Sequence, residues 1–387
     1  MRDVDMRPIA TIRAAIGALC LIVSGLVYAT DETASDVPKT AVPDADVTSD
    51  AKVEFTEVYH TYQQLLADGK YAEALPYAER AYQLGLPIYG DNHKSSAALA
   101  LNYGDALLKA DQRKQAVALL DTAITMYERV YGKDAQALID PLMARGNASG
   151  YWEPAEQRGY YDRALDLAQN HLQADDLLRA RLNLEAGAHL LQNGNADDSK
   201  RYVKAAYDQY RKQLPATDAR VGVASFWFGK YELADGDAAA AEPYFNQAIA
   251  VFERDGVPPG PLVVAAHTLL VDVYQQLGDP SRATPHCVAV GKLKPWAEQA
   301  TRVPLYGPLP DYPAAAKGRD GYALIEFTID GAGFVRDQKL LKTQGSDSFG
   351  EPALLAIGAW RYAPRVVDGQ PLDTPGVQAQ VEFKLPL

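Results

Sequence analysis

The chain has 387 residues, enough for two or three domains of ordinary size. Hydrophobic residues make up 48% of it and charged residues 23%, which excludes a wholly disordered or collagen-like chain. The net charge of −12 excludes a protein that binds nucleic acid by neutralising phosphates. Cys20 and Cys287 are the only cysteines, so neither a disulfide framework nor a cysteine-rich zinc site is expected.

The first 29 residues have the three-part pattern of a secretory signal peptide. Arg7 and Arg13 precede the uncharged, largely apolar stretch Ala14–Ala29, and polar residues follow from Thr30. An uncleaved signal anchor is the alternative, although a membrane-spanning helix needs about 20 apolar residues and Arg13 blocks extension of the stretch. We therefore expect export, with cleavage after Ala29.

A linker and then a repetitive region follow the leader. Residues 30–52 contain few large apolar side chains, which predicts a disordered linker. In residues 53–295 a short turn motif recurs, mostly at intervals of about 42 residues. Its copies begin at Gly69, Asp111, Gly194, Gly236 and Gly278. The widest interval has room for a degenerate third copy with Gly159–Ala164 at the turn, and the pattern predicts about five helix–turn–helix units.

Small residues at a fixed distance before three of the turn regions support this model. They are Gly104, Gly187 and Gly229, and each precedes a small residue of the following helix by the same interval. Two helices that cross closely need small side chains at the point of closest approach. A single helix pair cannot bury its apolar faces alone, so the units are expected to stack as an α-solenoid.

The repeats resemble tetratricopeptide repeats, in the form of about 42 residues found in kinesin light chains. The stretch Ala241–Ala248 and the loops Tyr89–His93 and Tyr131–Asp134 carry the resemblance, and residues 146–159 depart from it. The resemblance implies a concave surface that binds peptides or proteins.

A second folded domain is predicted after a proline-rich linker at residues 296–310. Tyr322–Asp330 and Phe334–Leu341 are typical of two strands joined by a turn at Asp330–Gly333. Apolar residues between Phe349 and Trp360 share one helical face, and Val377–Leu385 alternates apolar and polar residues as a half-exposed strand does. The sequence thus predicts a small antiparallel sheet packed on a helix.

Residues 311–387 resemble the C-terminal domain of TonB-family energy transducers. In that family the domain binds an extended peptide of an outer-membrane receptor as an additional strand. By resemblance the peptide-binding strand is Val377, Gln378, Ala379, Gln380, Val381, Glu382, Phe383 and Lys384. The residues that match the family motif are Tyr312, Pro313, Gly321, Asp330, Gly331, Gly333, Trp360, Tyr362 and Pro364.

No constellation of catalytic or metal-binding residues stands out. The six histidines lack metal-ligand spacing, and no nucleophile elbow or phosphate-binding glycine loop is present. We therefore expect no enzyme activity, no metal, no cofactor and no small-molecule substrate. An enzyme with a site scattered over the solenoid is the alternative from another class.

The combined pattern predicts a non-enzymatic periplasmic adaptor of the TonB family. One protein partner would bind the repeats, and an extended peptide, with an outer-membrane TonB-dependent receptor as the candidate source, would bind the terminal sheet. The alternative is a TonB-type energy transducer for transport across the outer membrane, held in the inner membrane by a single uncleaved N-terminal anchor with its domains in the periplasm.

We predict that the mature protein begins at Thr30. Intact-mass measurement of the protein recovered from cells checks this, because removal of residues 1–29 leaves no apolar leader to act as an anchor. A recovered chain that retains Ala14–Ala29 would favour the anchored transducer.

Overall fold

A computed structural model describes residues 49–150, 152–253, 260–294 and 302–384. The predicted leader, nearly all of the first linker and part of the second linker lie outside these residues. The described residues belong to two compact units, one ending at Leu214 and the other beginning at Pro215. No helix in the described ranges is both long enough and apolar enough to cross a membrane.

The described part of the first unit contains eight α-helices, and consecutive helices pack as hairpins. A short 3-10 turn, Gln136–Leu138, precedes the fifth helix. The helices are α1 (Ser49–Ala67), α2 (Tyr71–Tyr89), α3 (Lys94–Lys109), α4 (Arg113–Tyr131), α5 (Ile139–Ala148), α6 (Pro154–His171), α7 (Leu177–Gln192) and α8 (Ala196–Gln213).

The second unit begins with two further hairpins and ends in a small α+β domain. Its strands form a three-stranded antiparallel sheet in the order β2-β1-β5 and a separate β3–β4 hairpin. The elements are α9 (Ala219–Ala234), α10 (Ala238–Phe252), α11 (Pro261–Gln276), α12 (Pro280–Leu293), β1 (Gly321–Ile329), β2 (Val335–Gln344), α13 (Gly350–Gly358), β3 (Arg365–Val367), β4 (Gln370–Leu372) and β5 (Thr374–Phe383).

The predicted turns explain where most hairpins reverse. Five of the turns between paired helices in the described residues contain a residue with positive φ, which ends the preceding helix. Four of these residues are glycines, which enter this conformation without steric cost, and the fifth is an aspartate. They are Gly69, Asp111, Gly194, Gly236 and Gly278.

The third hairpin departs from the sequence expectation. Gly159–Ala164 was expected at a turn, but this prediction is wrong because these residues lie inside α6. The connection between α5 and α6 is instead the longer segment 149–153, which explains why the turn motif is missing there. Including this third hairpin, the described residues form six helical hairpins, whereas the sequence predicted about five.

Close approach of paired helices accounts for the small residues at the predicted spacing. A Cβ added to Gly104 would lie 2.5 Å from Leu120 Cδ2, and one added to Gly187 would lie 2.5 Å from Val203 Cγ2. In the third hairpin Gly146 has the same relation to the ring of Tyr161. Larger side chains would push these helices apart, so the prediction of trimmed crossing points is confirmed.

Gln157 is the polar exception in the third hairpin. Five hairpins place a small buried residue early in their second helix, whereas the third places fully buried Gln157 there. Its Nε2 atom donates to Gly146 O at 3.2 Å, and its Oε1 atom accepts from Asn193 Nδ2 at 3.2 Å. The amide therefore satisfies groups that the longer connection leaves near the helix pair. The small residues of the other hairpins are Ala74, Ala116, Ser199, Ala241 and Ala283.

We predict that Gln157→Ala destabilises the first unit by about 1–3 kcal/mol, although alanine is the common residue of the other copies. The change removes two buried hydrogen bonds and leaves a cavity, which outweighs the gain in helix propensity. Urea unfolding followed by circular dichroism measures the effect, with exposed Glu156→Ala as the control. Equal or greater stability of Gln157→Ala would contradict the assigned role.

The last hairpin contains a pair of histidines, of which His267 is buried and His286 is partly buried. His267 Nδ1 on α11 and His286 Nδ1 on α12 are 2.7 Å apart, so one ring donates to the other. Burial lowers the pKa of His267 to about 4, and burial together with the neighbouring His267 lowers the pKa of His286 to about 4. The charged groups around the pair are Glu253, 3.7 Å from His267 Nε2, and the Arg282–Glu242 ion pair next to Tyr274. Both rings are therefore neutral at pH 7.

We predict that the free energy of unfolding of the second unit falls as the pH is lowered from about 6.5 to about 4. In this window the unfolded chain binds protons that the folded rings exclude, at a cost on the order of 2 kcal/mol per buried ring. Unfolding at a series of pH values should show that His286→Gln reduces this slope, whereas His60→Gln, at an exposed position on α1, leaves it unchanged. An unchanged slope in His286→Gln would contradict the assignment.

Candidate functional site

The predicted peptide-binding strand lies at one edge of the terminal sheet. Strand β5 pairs antiparallel with β1 through seven consecutive residue pairs, from Gly321↔Phe383 to Phe327↔Val377. No other strand among the described residues pairs with the outer side of β5. Alternate peptide N–H and C=O groups of an edge strand point away from its neighbour, so this side offers backbone donors and acceptors.

The two faces of β5 have different environments. Val377, Val381 and Phe383 are buried in the core of the domain, where the rings of Phe383 and Phe349 stack with centroids 4.3 Å apart. On the opposite face Gln378 Nε2 donates to Glu326 Oε2 at 3.0 Å. The strand is therefore anchored by apolar side chains on one face, while its other face is polar and at least partly exposed.

The remaining residues of the predicted strand follow the same alternation. Ala379 is partly buried beside the core, and Gln380 and Glu382 are partly exposed on the polar face. Lys384 lies just beyond the end of β5, where its Nζ is 2.9 Å from Glu382 Oε2. This contact raises the pKa of the Lys384 ammonium group.

The opposite edge of the sheet is protected. Strand β2 has two register shifts against β1: Leu341 is left without a partner, and Asp337 adopts a φ of 53°. Lys339 and Lys342 are exposed along the same strand. Bulges and lysines are the features that prevent a strand edge from pairing with another chain. The two edges are thus unequal, and β5 offers the more regular one.

The family-motif residues hold the frame of this sheet, and none of them lies on β5. Asp330 closes the β1–β2 turn, because its Oδ1 accepts from the N–H groups of Ala332 and Phe334 at 3.0 and 2.8 Å. The Gly331 N–H donates to Asp373 Oδ1 at 2.7 Å, and Gly333, with a φ of 84°, accepts from the Tyr362 N–H. These contacts fix the turn next to the core.

The other motif residues close the two ends of the domain. The Tyr312 hydroxyl donates to Arg319 O at 3.0 Å, and Pro313 precedes the 3-10 turn Ala314–Ala316. Gly321 opens β1 where a Cβ would collide with Gln344 O, and Trp360 Nε1 donates to Pro308 O at 3.0 Å. Burial raises the pKa of Tyr362, and Pro364 directs its carbonyl oxygen at Gly291 of α12.

Arg361, between Trp360 and Tyr362, received no role from the sequence. It is only 1% exposed, and its guanidinium lies 3.7 Å from the centroid of the Phe334 ring. Its Nη1 donates to Pro280 O at 2.9 Å, and its Nη2 donates to Thr284 Oγ1 at 3.1 Å. Both partners belong to α12, so the arginine joins the sheet domain to the last hairpin. The only sequence signal for Arg361 was its position between two family-motif residues, and this position does not indicate that it contacts α12.

Arg361 also contacts Cys287 on the same helix. Its Nη2 is 3.5 Å from Cys287 Sγ and donates to Ala332 O at 3.0 Å. Cys287 is fully buried, and burial, only partly offset by Arg361, raises the pKa of its thiol to about 11. The cysteine is therefore a buried packing residue at this contact.

The first unit brings carboxylates of three hairpins together. Helix α5 contacts both α3 and α7, and all three are the first helices of their hairpins. Burial raises the pKa of Asp105 to about 7; Lys109 opposes this shift, while Asp140 and Glu185 add to it. Asn147 Nδ2 donates to Glu185 Oε1 at 2.6 Å. This side of the repeats thus carries three carboxylates, with Lys109 acting on Asp105 and Arg181 acting on Asp140.

Features of an active site are not apparent in the described part of the chain. No three His, Cys, Asp or Glu side chains converge there so as to hold a metal ion. A cleft of about 320 Å³ on the first unit contains one carboxylate and no histidine. It is lined by Tyr82, Leu86, Asp91, Thr122, Thr125, Met126 and Arg129.

Comparisons with known proteins agree with both parts of the fold. Residues 308–385 match the family model "Gram-negative bacterial TonB protein C-terminal", and residues 63–139 match the model "Tetratricopeptide repeat". The chain is 32% identical over 78 residues to Protein TonB of Vibrio cholerae serotype O1, a match that covers 20% of this chain. The match spans 32% of that relative's length.

Solved structures of helical-repeat proteins match this chain at low sequence identity. A putative kinesin light chain from Podosopora anserina with nearly identical TPR-like repeats is 14% identical, with a TM-score of 0.45, and the match covers 51% of this chain and 94% of that one. BtubC from P. vanneervenii is 12% identical, with a TM-score of 0.45 and coverage of 69% and 100%. The predicted fold class is confirmed: helices in repeat-like packing, of which residues 63–139 match the tetratricopeptide model, precede a small antiparallel-sheet domain that matches the TonB C-terminal model.

Proposed function

We propose that the protein is a non-enzymatic adaptor of the bacterial periplasm that binds an extended peptide along β5 and a second protein on its repeats. The observation that carries the proposal is the inequality of the two sheet edges. From Val377 to Phe383 strand β5 pairs with β1 without a register shift, and no described strand pairs with its outer side. Its single register shift lies near its start, between Thr374 and Val377, whereas β2 has two register shifts and exposed lysines. An edge of this kind binds a peptide through main-chain hydrogen bonds.

The polar face of β5 indicates which peptides fit. A strand added beside β5 would place alternate side chains next to Gln378, Gln380 and Glu382, which offer amides and one carboxylate. Polar or basic side chains at alternate positions complement this surface, because amides accept and donate hydrogen bonds and the carboxylate attracts cations. The periplasmic segment of an outer-membrane TonB-dependent receptor is the candidate source of the peptide.

The carboxylate cluster of the repeats supports a separate partner. Asp105, Asp140 and Glu185 lie on three neighbouring helices of the first unit together with Lys109 and Arg181, and the repulsion that Asp140 and Glu185 exert on the buried Asp105 favours a cationic ligand there. A basic segment of a protein partner fits this side. The carboxylates are remote in sequence from β5, which is consistent with two independent binding surfaces on an adaptor.

The similarity to Protein TonB of Vibrio cholerae favours a second candidate function, a membrane-anchored energy transducer. The two candidates differ in whether the N-terminal leader remains attached, because only an anchored chain transmits force from the inner membrane. The mass of the mature protein therefore distinguishes them, independently of peptide binding.

We predict that proline at one of two adjacent positions of β5, Ala379 or Gln380, weakens peptide binding without unfolding the sheet. One of these N–H groups faces β1 and the other faces outward, and only loss of the outward group leaves the sheet intact. The assay is fluorescence polarisation of a labelled peptide that carries the periplasmic segment of a TonB-dependent receptor. The variant that stays folded by circular dichroism should bind at least about tenfold more weakly.

The matched control is Leu341→Pro, at the unpaired bulge position of the opposite edge. It should leave the affinity of the full chain for the peptide unchanged, because the register shift already breaks the ladder there. If a folded β5 proline variant captures the peptide as tightly as the unsubstituted chain does, strand addition at β5 is wrong.

A further inference from the structure

The last hairpin differs from the other hairpins at the position where they carry a bulky residue. The position is in the second helix of each hairpin, directly after a buried small or β-branched residue. Five hairpins have a large side chain at this position, whereas the last hairpin has Gly291. In the second hairpin this side chain, Ile124, belongs to one buried cluster with Leu138 and Leu142 of the segment that follows. The five large residues are Tyr82, Ile124, Leu165, Tyr207 and Ile249.

The space left by Gly291 is occupied by the terminal domain. A Cβ added to Gly291 would lie 2.5 Å from the carbonyl oxygen of Pro364 and 3.2 Å from Val366 Cγ2 of β3. Nearby, a Cβ added to Gly333 would lie 3.1 Å from Cys287 Cβ. Backbone of the sheet domain thus contacts α12 directly at two points, and no larger residue fits between them.

Arg361 fixes this contact with hydrogen bonds. Its guanidinium bridges Pro280 O and Thr284 Oγ1 on α12 to Ala332 O in the β1–β2 turn. The arginine also covers the Phe334 ring and touches Cys287. A nearly fully buried charged group with this many partners on two elements holds both in one arrangement, because separation would leave its donors unpaired in a dry contact.

We propose that the C-terminal sheet domain is the capping unit of the repeats, covering the face of α12 on which a further hairpin would stack, with Arg361 as the residue that holds it there. Terminal repeats of a solenoid expose an apolar face that must be covered. Here a domain of another fold covers it. The peptide-docking edge is then held at a fixed orientation to residues 261–293.

If the protein is the proposed adaptor, the cap also links peptide binding to the last hairpin; only this step rests on the proposed function. A pull on a peptide paired with β5 would pass to α12 through the Arg361 and Pro364 contacts, in parallel with the connection between residues 294 and 302. Binding at the edge and the state of the last hairpin would be mechanically coupled.

Protection of Cys287 tests the cap. In a full-length Cys20→Ser chain Cys287 is the only thiol, and its rate of alkylation by iodoacetamide reports how often the contact opens. Arg361→Met should raise that rate at least about tenfold, and Arg361→Lys, which retains one charged donor group, should raise it less. The matched control is Arg336→Met, since Arg336 also lies over the Phe334 ring, at 5.1 Å, but is exposed and does not contact α12.

A second variant keeps the test decisive if Arg361→Met does not fold. Gly291→Ala improves helix propensity by about 1 kcal/mol, so a helix independent of the sheet domain would become more stable and Cys287 better protected. The cap predicts the opposite, faster alkylation, because the new methyl group displaces Pro364. The assay contains no peptide, so its result is separate from that of the docking experiment.

Hydrogen exchange identifies which elements respond. Opening of the cap should raise exchange in α12 and in β3 together. The proposal is wrong if the folded Arg361→Met and Gly291→Ala chains alkylate Cys287 at the rate of the unsubstituted chain, or if exchange rises in the sheet alone while Cys287 stays protected.

Discussion

A helical hairpin that cannot bury both of its faces is the constraint on which the structure depends. In four of the six described hairpins, glycines such as Gly104 and Gly187 let the two helices approach until one side chain fills the crossing point. The outer faces remain apolar and require a neighbour. The next hairpin provides this neighbour in most of the described repeats, whereas the backbone around Pro364 provides it for α12. Burial of helix faces therefore links the helical part of the second unit to its sheet.

The same domain must protect one strand edge and expose another. Bulges interrupt β2, which also carries exposed lysines, while β5 keeps an unbroken ladder with β1 from Val377 to Phe383 and has apolar anchors in the core. The family-motif residues contribute indirectly, since Asp330 and Gly333 shape the turn and Trp360 and Tyr362 pack beneath the sheet. The proposed docking surface is thus backbone held in place by side chains elsewhere, which suits recognition of an extended peptide with modest sequence demands.

Most of the fold could be predicted from the sequence because its signals are local. Turn residues with positive φ, such as Gly69 and Gly236, mark where helices end, and alternating side chains identify β5 as a half-exposed strand. The third hairpin was placed incorrectly because its connection has a different length and because Gln157 replaces the small residue that defines the pattern. There the buried Gln157 amide forms hydrogen bonds at the position where the other hairpins pack a small side chain. Composition alone does not indicate which groups this amide would bond.

The sequence by itself determined the repeats and the terminal sheet, because periodicity and turn chemistry act over a few residues, whereas the candidate edge strand came from the family resemblance. Only the tertiary structure decided that β5 is outermost in the described sheet and that β2 is bulged, since strand order depends on pairing between distant segments. Likewise, Arg361 meets Pro280 across 81 residues of chain. The need for glycine at position 291 is explained only by the Pro364 carbonyl oxygen that lies against it. Contacts of this kind join surfaces that no local pattern encodes.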